Sequence, residues 1–376
     1  MPRDAAAVTI RARGPRVSRA PLRVALLGAG TVGREVARAL IERGPELSPD
    51  GGAPFELAGI VVRDLDRARA AGLPADLLTD GPAHLVAAPD TDVVVELMGG
   101  DEPAHTLIAA ALSAGKSVVT ANKHVIAHHG PELEAIARRT GAALRFEAAV
   151  GGGIPVLGPL ASDLAANRVR AVRGIVNGTT NYILSAMTDE GRDYAAVLAD
   201  AQAAGYAEAD PTGDVEGHDA VNKLVILARL AFGCWIDPAD VSTLASDGPG
   251  RGARGITGVD TDDIAGARTR GQVIKLLAEA VRSDVAGGDA TIAASVLPRE
   301  VPADSPFGRT SGVLNRIEIE AEPVGTVAFS GPGAGGPATA GAVLGDLIAV
   351  ARDLGSTWAG LPAATAATAR ATAGSR

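Results

Sequence analysis

A single cysteine, Cys234, stands among 376 residues. No intrachain disulfide can form, and a four-thiolate metal site is excluded. Aromatic residues make up only 3% while apolar residues make up 47%, so any core is built from Ala, Val, Leu and Ile. That composition suits helix-rich or α/β packing better than an aromatic-heavy β-sandwich. Positive charge is scarce: the net charge of −9 argues against broad nucleic-acid binding, which needs basic surface to displace phosphate counterions. Long apolar runs are missing too. The uncharged stretch Val324–Gly345 contains seven glycines and two prolines, which disfavours a membrane helix and favours a glycine-rich loop entering a helix. Residues 1–20 carry five arginines (Arg3, Arg11, Arg13, Arg16 and Arg19) without an apolar targeting core, and read as a disordered tail. The whole fits a cytoplasmic enzyme, long enough for two domains.

What is present begins at Pro21. Leu22–Leu27 has strand length and runs into Gly28-Ala29-Gly30-Thr31-Val32-Gly33. A helix follows with Val36, Ala37, Leu40 and Ile41 on one face. This G-x-G-x-x-G loop lies between strand and helix, where a dinucleotide pyrophosphate would meet a helix N-terminus. The first glycine permits the turn, the second lets phosphate approach, and the third lets helix and strand pack. Phe55–Val62 reads as a second strand ending in Val62-Arg63-Asp64. An acidic residue there suits the ribose hydroxyl of NAD and an arginine the 2′-phosphate of NADP, so Arg63 points to NADP with NAD use open.

Strands Asp92–Leu97 and Ser117–Thr120, with the helix Glu102–Ala114 between them, predict a Rossmann-type doubly wound parallel sheet. Ligands bind at the carboxyl ends of such strands, which places Met98 and Lys123 beside a cofactor. His124, His128 and His129 cluster nearby; no carboxylate or thiolate is spaced to complete a metal site, and a solvated helix start explains them.

The stretch GYAEADPTGDVEGHDAVNK, Gly205–Lys223, gathers Glu208, Asp210, Asp214, Glu216 and Asp219 before one lysine. Taken alone it reads as a solvated acidic loop. Asp219 and Lys223 are four apart and would share a helix face. Asp210 and Glu216 read equally well as solvated charges, and His218 as a packing or capping residue.

Together with TANK (Thr120–Lys123), FEAAVGGGIPV (Phe146–Val156), GIVNGTTNYIL (Gly174–Leu184) and SGPGAGGPATAGAVLGD (Ser330–Asp346), these segments resemble homoserine dehydrogenase from about residue 21 to 355. The resemblance implies reduction of L-aspartate 4-semialdehyde to L-homoserine with NADPH or NADH, toward threonine and methionine. It implies Lys223 as proton donor, Asp219 as the residue that holds it, and Lys123 at the nicotinamide side. Glu208 would bind the ammonium of the small amino-acid substrate, with Asp214 and Thr179 beside it. Gly335 would lie near the nicotinamide. A monovalent cation, usually sodium in the family, would take Glu147 and the carbonyls of Val150, Gly152 and Ile154; a hinge between domains explains that segment equally.

The implied architecture is a nucleotide-binding domain (21–150), a substrate and dimerisation domain with its own α+β sheet (151–330), a returning helix (331–356) and a flexible tail (357–376). A homodimer is expected, with Val169–Val176 suited to its sheet. Many relatives carry a regulatory ACT domain after the catalytic part and some an aspartokinase before it; neither is expected here, nor threonine feedback through one. Ser305-Pro306-Phe307 departs from a His-Pro-Leu element frequent in relatives. Two other readings stay open. One is a dehydrogenase that acylates a thiolate, with Cys234 as its sole nucleophile, as in aspartate-semialdehyde dehydrogenase. The other is a non-catalytic NAD(P) sensor.

Overall fold

The computed structural model describes residues 20–47, 53–284 and 290–366. The expected tail at 1–20 lies outside the described residues apart from Ala20, as does the end of the chain after Ala366.

Six parallel strands form the first sheet: β1 (Leu22–Leu27), β2 (Phe55–Val61), β3 (Leu78–Thr79), β4 (Val93–Glu96), β5 (Ser117–Thr120) and β6 (Leu144–Arg145). Their order is β3-β2-β1-β4-β5-β6, so the sheet is wound outward both ways from β1, as a Rossmann fold requires. The central strand shows why both faces are covered. Val24 to Leu27 are wholly buried. Alternate side chains point to opposite faces. Val24 and Leu26 pack with Val36, Leu40, Val343 and Leu347 of two helices on one side. Ala25 and Leu27 join Leu107, Ile108, Val125 and Ile126 on the other. Each fully buried Leu or Val contributes roughly 1.5–3 kcal/mol relative to exposure.

Helix Thr31–Leu47 buries Val36, Ala37 and Leu40, but Ile41 is 47% exposed, against expectation. At about 100° per residue Ile41 falls at the outer edge of the apolar arc.

The second sheet is antiparallel. It is built from β7 (Arg168–Ile175), β9 (Gln272–Ser283), β10 (Thr291–Pro302), β11 (Leu314–Glu322) and β12 (Gly325–Pro332), in the order β10-β9-β7-β11-β12; β8 (Cys234–Trp235) lies outside it. Against it lies the helix His218–Phe232, buried continuously from Ala220 to Leu230. From Leu224 to Ala228 it is apolar on every side, which suits an inside position. It begins six residues before Leu224 and so carries Asp219 and Lys223 in its first turns. Gly217 and Gly233 bound it, both with positive φ. The chain then returns to the first sheet through the helix Gly336–Ala351.

The tail expected to be flexible from residue 357 is ordered through residue 366. Trp358 is buried and its ring lies 5.5 Å from that of Phe146. β13 (Thr365–Ala366) pairs with β8. The burial of one indole outweighs the low intrinsic order of an Ala/Thr segment. Among the described residues no helix is long and apolar enough to cross a membrane.

Candidate active site

The glycine loop carries three different constraints. A Cβ on Gly28 would stand 2.8 Å from the Leu97 carbonyl, and φ there is +99°. A Cβ on Gly33 would stand 2.1 Å from the Gly28 carbonyl. A Cβ on Gly30 would meet nothing within 4 Å. Gly28 and Gly33 are therefore glycine for packing, while Gly30 leaves an open floor at the N-terminus of the helix Thr31–Leu47. A pyrophosphate fits there, facing the helix dipole and its free N–H groups. Ala29, Thr31 and Val32 complete the turn. Gly336 lies against Thr31, which brings Gly335, the N-cap of the returning helix, to the same loop.

Arg63 is exposed at the tip of β2. Asp64 beside it is engaged otherwise: its carboxylate accepts from the Arg67 N–H and caps the helix Leu65–Ala70. The tip of β4 is organised by Glu96, a fully buried residue outside the sequence reading. Its carboxylate accepts from the N–H groups of Met98 and Gly99 and, at 2.6 Å, from the Thr120 hydroxyl. Thr120 in turn accepts from the Asn122 N–H, and Asn122 caps the helix Lys123–Thr140. One carboxylate thus fixes the loops that present Met98 and Lys123.

Across the cleft, Asp219 sits between two ammoniums. Its Oδ2 accepts from Lys223 Nζ at 2.7 Å, and its Oδ1 lies 2.9 Å from Lys123 Nζ. Lys223 also donates to the Val176 carbonyl at 2.6 Å. The side chains of Asp219 and Lys223 are 10% exposed and that of Lys123 41%. Burial pushes the Lys223 ammonium toward losing its proton; Asp219 opposes this and Lys123 adds to it. Lys123 moves the other way, its pKa raised first by the charge of Asp219, with smaller help from Asp214 and Glu208. Burial alone would raise the Asp219 carboxyl, but the two lysines outweigh it and hold it far below the usual carboxylate range.

Asn177, also missed by the sequence reading, ties the acidic segment to this centre. Its Nδ2 donates to Asp214 Oδ1 at 2.7 Å and to Asp219 Oδ2 at 2.9 Å, while its Oδ1 caps the helix Gly178–Glu190. GIVNGTTNYIL contains the signal only as an N-cap pattern; the bridge needs the end of β7 beside the helix His218–Phe232. Thr179 donates to the Tyr206 carbonyl. Glu208 is exposed two residues on, close enough for its charge to act on Lys123.

Glu147 accepts from three backbone N–H groups, those of Val156, Leu157 and Gly158, at 2.7–2.8 Å. It therefore anchors the start of the helix Leu157–Ala161, and burial raises its pKa against those bonds. Val150 is wholly buried, and among the described residues no N–H donates to its carbonyl or to those of Gly152 and Ile154. Buried carbonyls without donors suit a hard cation. Cys234, by contrast, is buried with its thiol pKa raised by desolvation. About 14 Å of helix axis separates Lys223 from Phe232, two residues before that cysteine. No thiolate stands at the cleft.

Comparison with known proteins identifies the family. A family model described as homoserine dehydrogenase matches residues 155–348, and a second, described as the NAD-binding domain of homoserine dehydrogenase, matches 28–147. The chain is 46% identical over 330 residues to a homoserine dehydrogenase from Corynebacterium glutamicum, covering 88% of this chain and 72% of the relative. A solved homoserine dehydrogenase from Thiobacillus denitrificans superposes with a TM-score of 0.84 at 37% identity, over 94% of this chain and 80% of that one. A hyperthermophilic archaeal homoserine dehydrogenase in complex with NADPH gives 0.70 at 27% identity, over 88% and 97%. With sequence, fold and both domain models in agreement, the chain belongs to the homoserine dehydrogenase family, oxidoreductases with an NAD-binding domain.

Proposed function

We propose that the cleft between the two sheets interconverts L-homoserine and L-aspartate 4-semialdehyde with Lys223 as the proton carrier. The observation that carries this reading is the buried ammonium of Lys223, shared between Asp219 and one backbone carbonyl at the mouth of the glycine loop's domain. The bound dinucleotide supplies or takes the hydride. Lys223 gives its proton to the C4 oxygen in reduction and takes it back in oxidation. Burial lowers its pKa, which eases release of that proton to the substrate oxygen. Asp219 fixes the ammonium in place and links it to the more exposed Lys123, which returns the proton to solvent. Glu208 receives the substrate ammonium, with Asp214 and Thr179 beside it. Turnover is tested by mixing purified protein with L-homoserine and either NAD or NADP and following reduced nicotinamide by absorbance. No product with either coenzyme would overturn the reading.

The coenzyme is NADP in preference to NAD, because Asp64 is committed to its helix cap and Arg63 is left at the strand tip. Arg63→Ala is expected to raise KM for NADPH about tenfold, the worth of an exposed charge-assisted bond, with KM for NADH nearly unchanged. Equal effects on both coenzymes would remove Arg63 from phosphate recognition. Glu208→Ala is expected to raise KM for homoserine about 10–100-fold and spare coenzyme KM. An effect on coenzyme alone would misplace the substrate. Glu147 and the carbonyls of Val150, Gly152 and Ile154 would hold a sodium ion, whose charge would stabilise the joint between the domains. The working form is a cytoplasmic homodimer joined through the antiparallel sheet, with no nucleic-acid or membrane partner.

A further inference from the structure

Four of the six histidines meet in one patch outside the dehydrogenase cleft. His105 stands in the first turn of the helix Ala104–Ser113, and His124, His128 and His129 ride on the helix Lys123–Thr140. The rings of His105 and His129 stack 3.8 Å apart at 11°, and those of His124 and His128 4.2 Å apart. Sequence spacing alone does not gather the carboxylates around all four rings. The fold supplies three. His105 Nε2 lies 3.1 Å from Glu132 Oε2 and His105 Nδ1 3.3 Å from Glu102 Oε1. His129 Nε2 lies 2.7 Å from Asp101 Oδ1.

A solvated charge network accounts for carboxylates beside imidazoliums. It does not by itself account for the close stacking of imidazole on imidazole, which crowds two metal-ligand side chains together. Imidazoles and carboxylates gathered this closely are the ligand types that a divalent cation draws together. One donor atom each from His105, His129 and Glu132 already lies within 4.8 Å of the other two.

We propose that His105, His129 and Glu132 form a binding site for a divalent transition-metal ion of borderline softness, such as zinc. Two imidazole nitrogens and one carboxylate oxygen are its donor set, and magnesium or calcium would prefer all-oxygen sites. A tetrahedron with ligands at about 2.0–2.1 Å has an edge of about 3.3 Å, close to the His105–Glu132 separation. His129 and Glu132, three residues apart, share one helix face. A small turn of the half-buried His129 ring, with Asp101 still on its Nε2, closes the set, and water completes it. Glu102 on His105 and Asp101 on His129 are the carboxylates that orient metal-bound imidazoles. The ion bridges two helices behind the Met98–Asp101 loop, whose Gly100 carbonyl accepts from Asn122. It thereby stiffens the segment that carries Met98 and Lys123.

The test is calorimetric titration of the chelator-treated full chain with zinc chloride, with the visible spectrum of bound cobalt as a second reading. One ion per chain is expected. His105→Ala, His129→Ala and Glu132→Gln should each weaken binding about tenfold or more, with homoserine turnover in chelator unchanged. Glu132 is largely exposed, so its variant folds whatever the histidine variants do. Zinc affinity unaltered in Glu132→Gln and His129→Ala, or abolished by Asp214→Asn in the dehydrogenase cleft, overturns the proposal.

Discussion

Replacing Lys223 by alanine is expected to lower kcat by about 10²–10⁴-fold, the usual worth of a positioned acid, while dinucleotide affinity stays nearly unchanged. The buried ammonium is the group whose proton affinity is reduced, first by desolvation and then by Lys123. Lys123 cannot replace it: its pKa is raised by Asp219 and its side chain is half open to solvent. The variant should still fold. Asp219 keeps Lys123 and Asn177 as partners, and only the Val176 carbonyl loses its donor, at a cost of about 1–3 kcal/mol. Lys223→Arg separates proton transfer from structure. It restores a donor and a charge but does not release its proton, so thermal stability should recover while kcat does not. Steady-state kinetics with homoserine and fluorescence titration with reduced dinucleotide provide the two readings. Turnover of Lys223→Ala within a few-fold of the parent would remove the lysine from proton transfer.

The parts of the fold legible in the sequence are those set by local pattern. Leu22–Leu27 and Ser117–Thr120 could be bounded to the residue, because an apolar run ended at a glycine loop or a polar tip. The helix carrying Lys223 was harder. Its first turn, His218 to Val221, looks like the end of an acidic loop, and only Gly217 marks its start. The substrate-side groups named from the resemblance lie around one cleft, but the residues that hold them there did not announce themselves. Glu96 reads as one charge in an apolar strand, and its role as organiser depends on the β4–β5 register that puts Thr120 opposite. Asn177 reads as a helix cap, which it also is. His105 is 24 residues from His129, so nothing local joins them. Tertiary register carries all three, and neither spacing nor composition encodes register across elements.

Asp219→Asn should do more damage than its single proton-carrying neighbour suggests. The carboxylate is the only anion in direct contact with both Lys123 and Lys223 among the described residues. A neutral amide leaves two ammoniums facing one another across a buried site, and breaking such a pair costs about 3–5 kcal/mol. Part of that cost is avoidable, because Lys223 can shed its proton instead. The variant is then expected to fold with Lys223 neutral over much of the working range. Two kinetic consequences follow from the sign of that change. Aldehyde reduction needs the protonated lysine, so its alkaline limit should move to lower pH, by a unit or more on the order of 1.4 kcal/mol each. Homoserine oxidation needs the neutral lysine, so its acidic limit should move to lower pH as well. At neutral pH, reduction should therefore lose about 10²-fold or more, while oxidation is limited by misplacement of the amine rather than by its charge. Paired pH profiles of the two directions read this difference. A uniform loss in both, with neither limb displaced, would mean that Asp219 only supports the helix and does not set the proton affinity of the amine beside it.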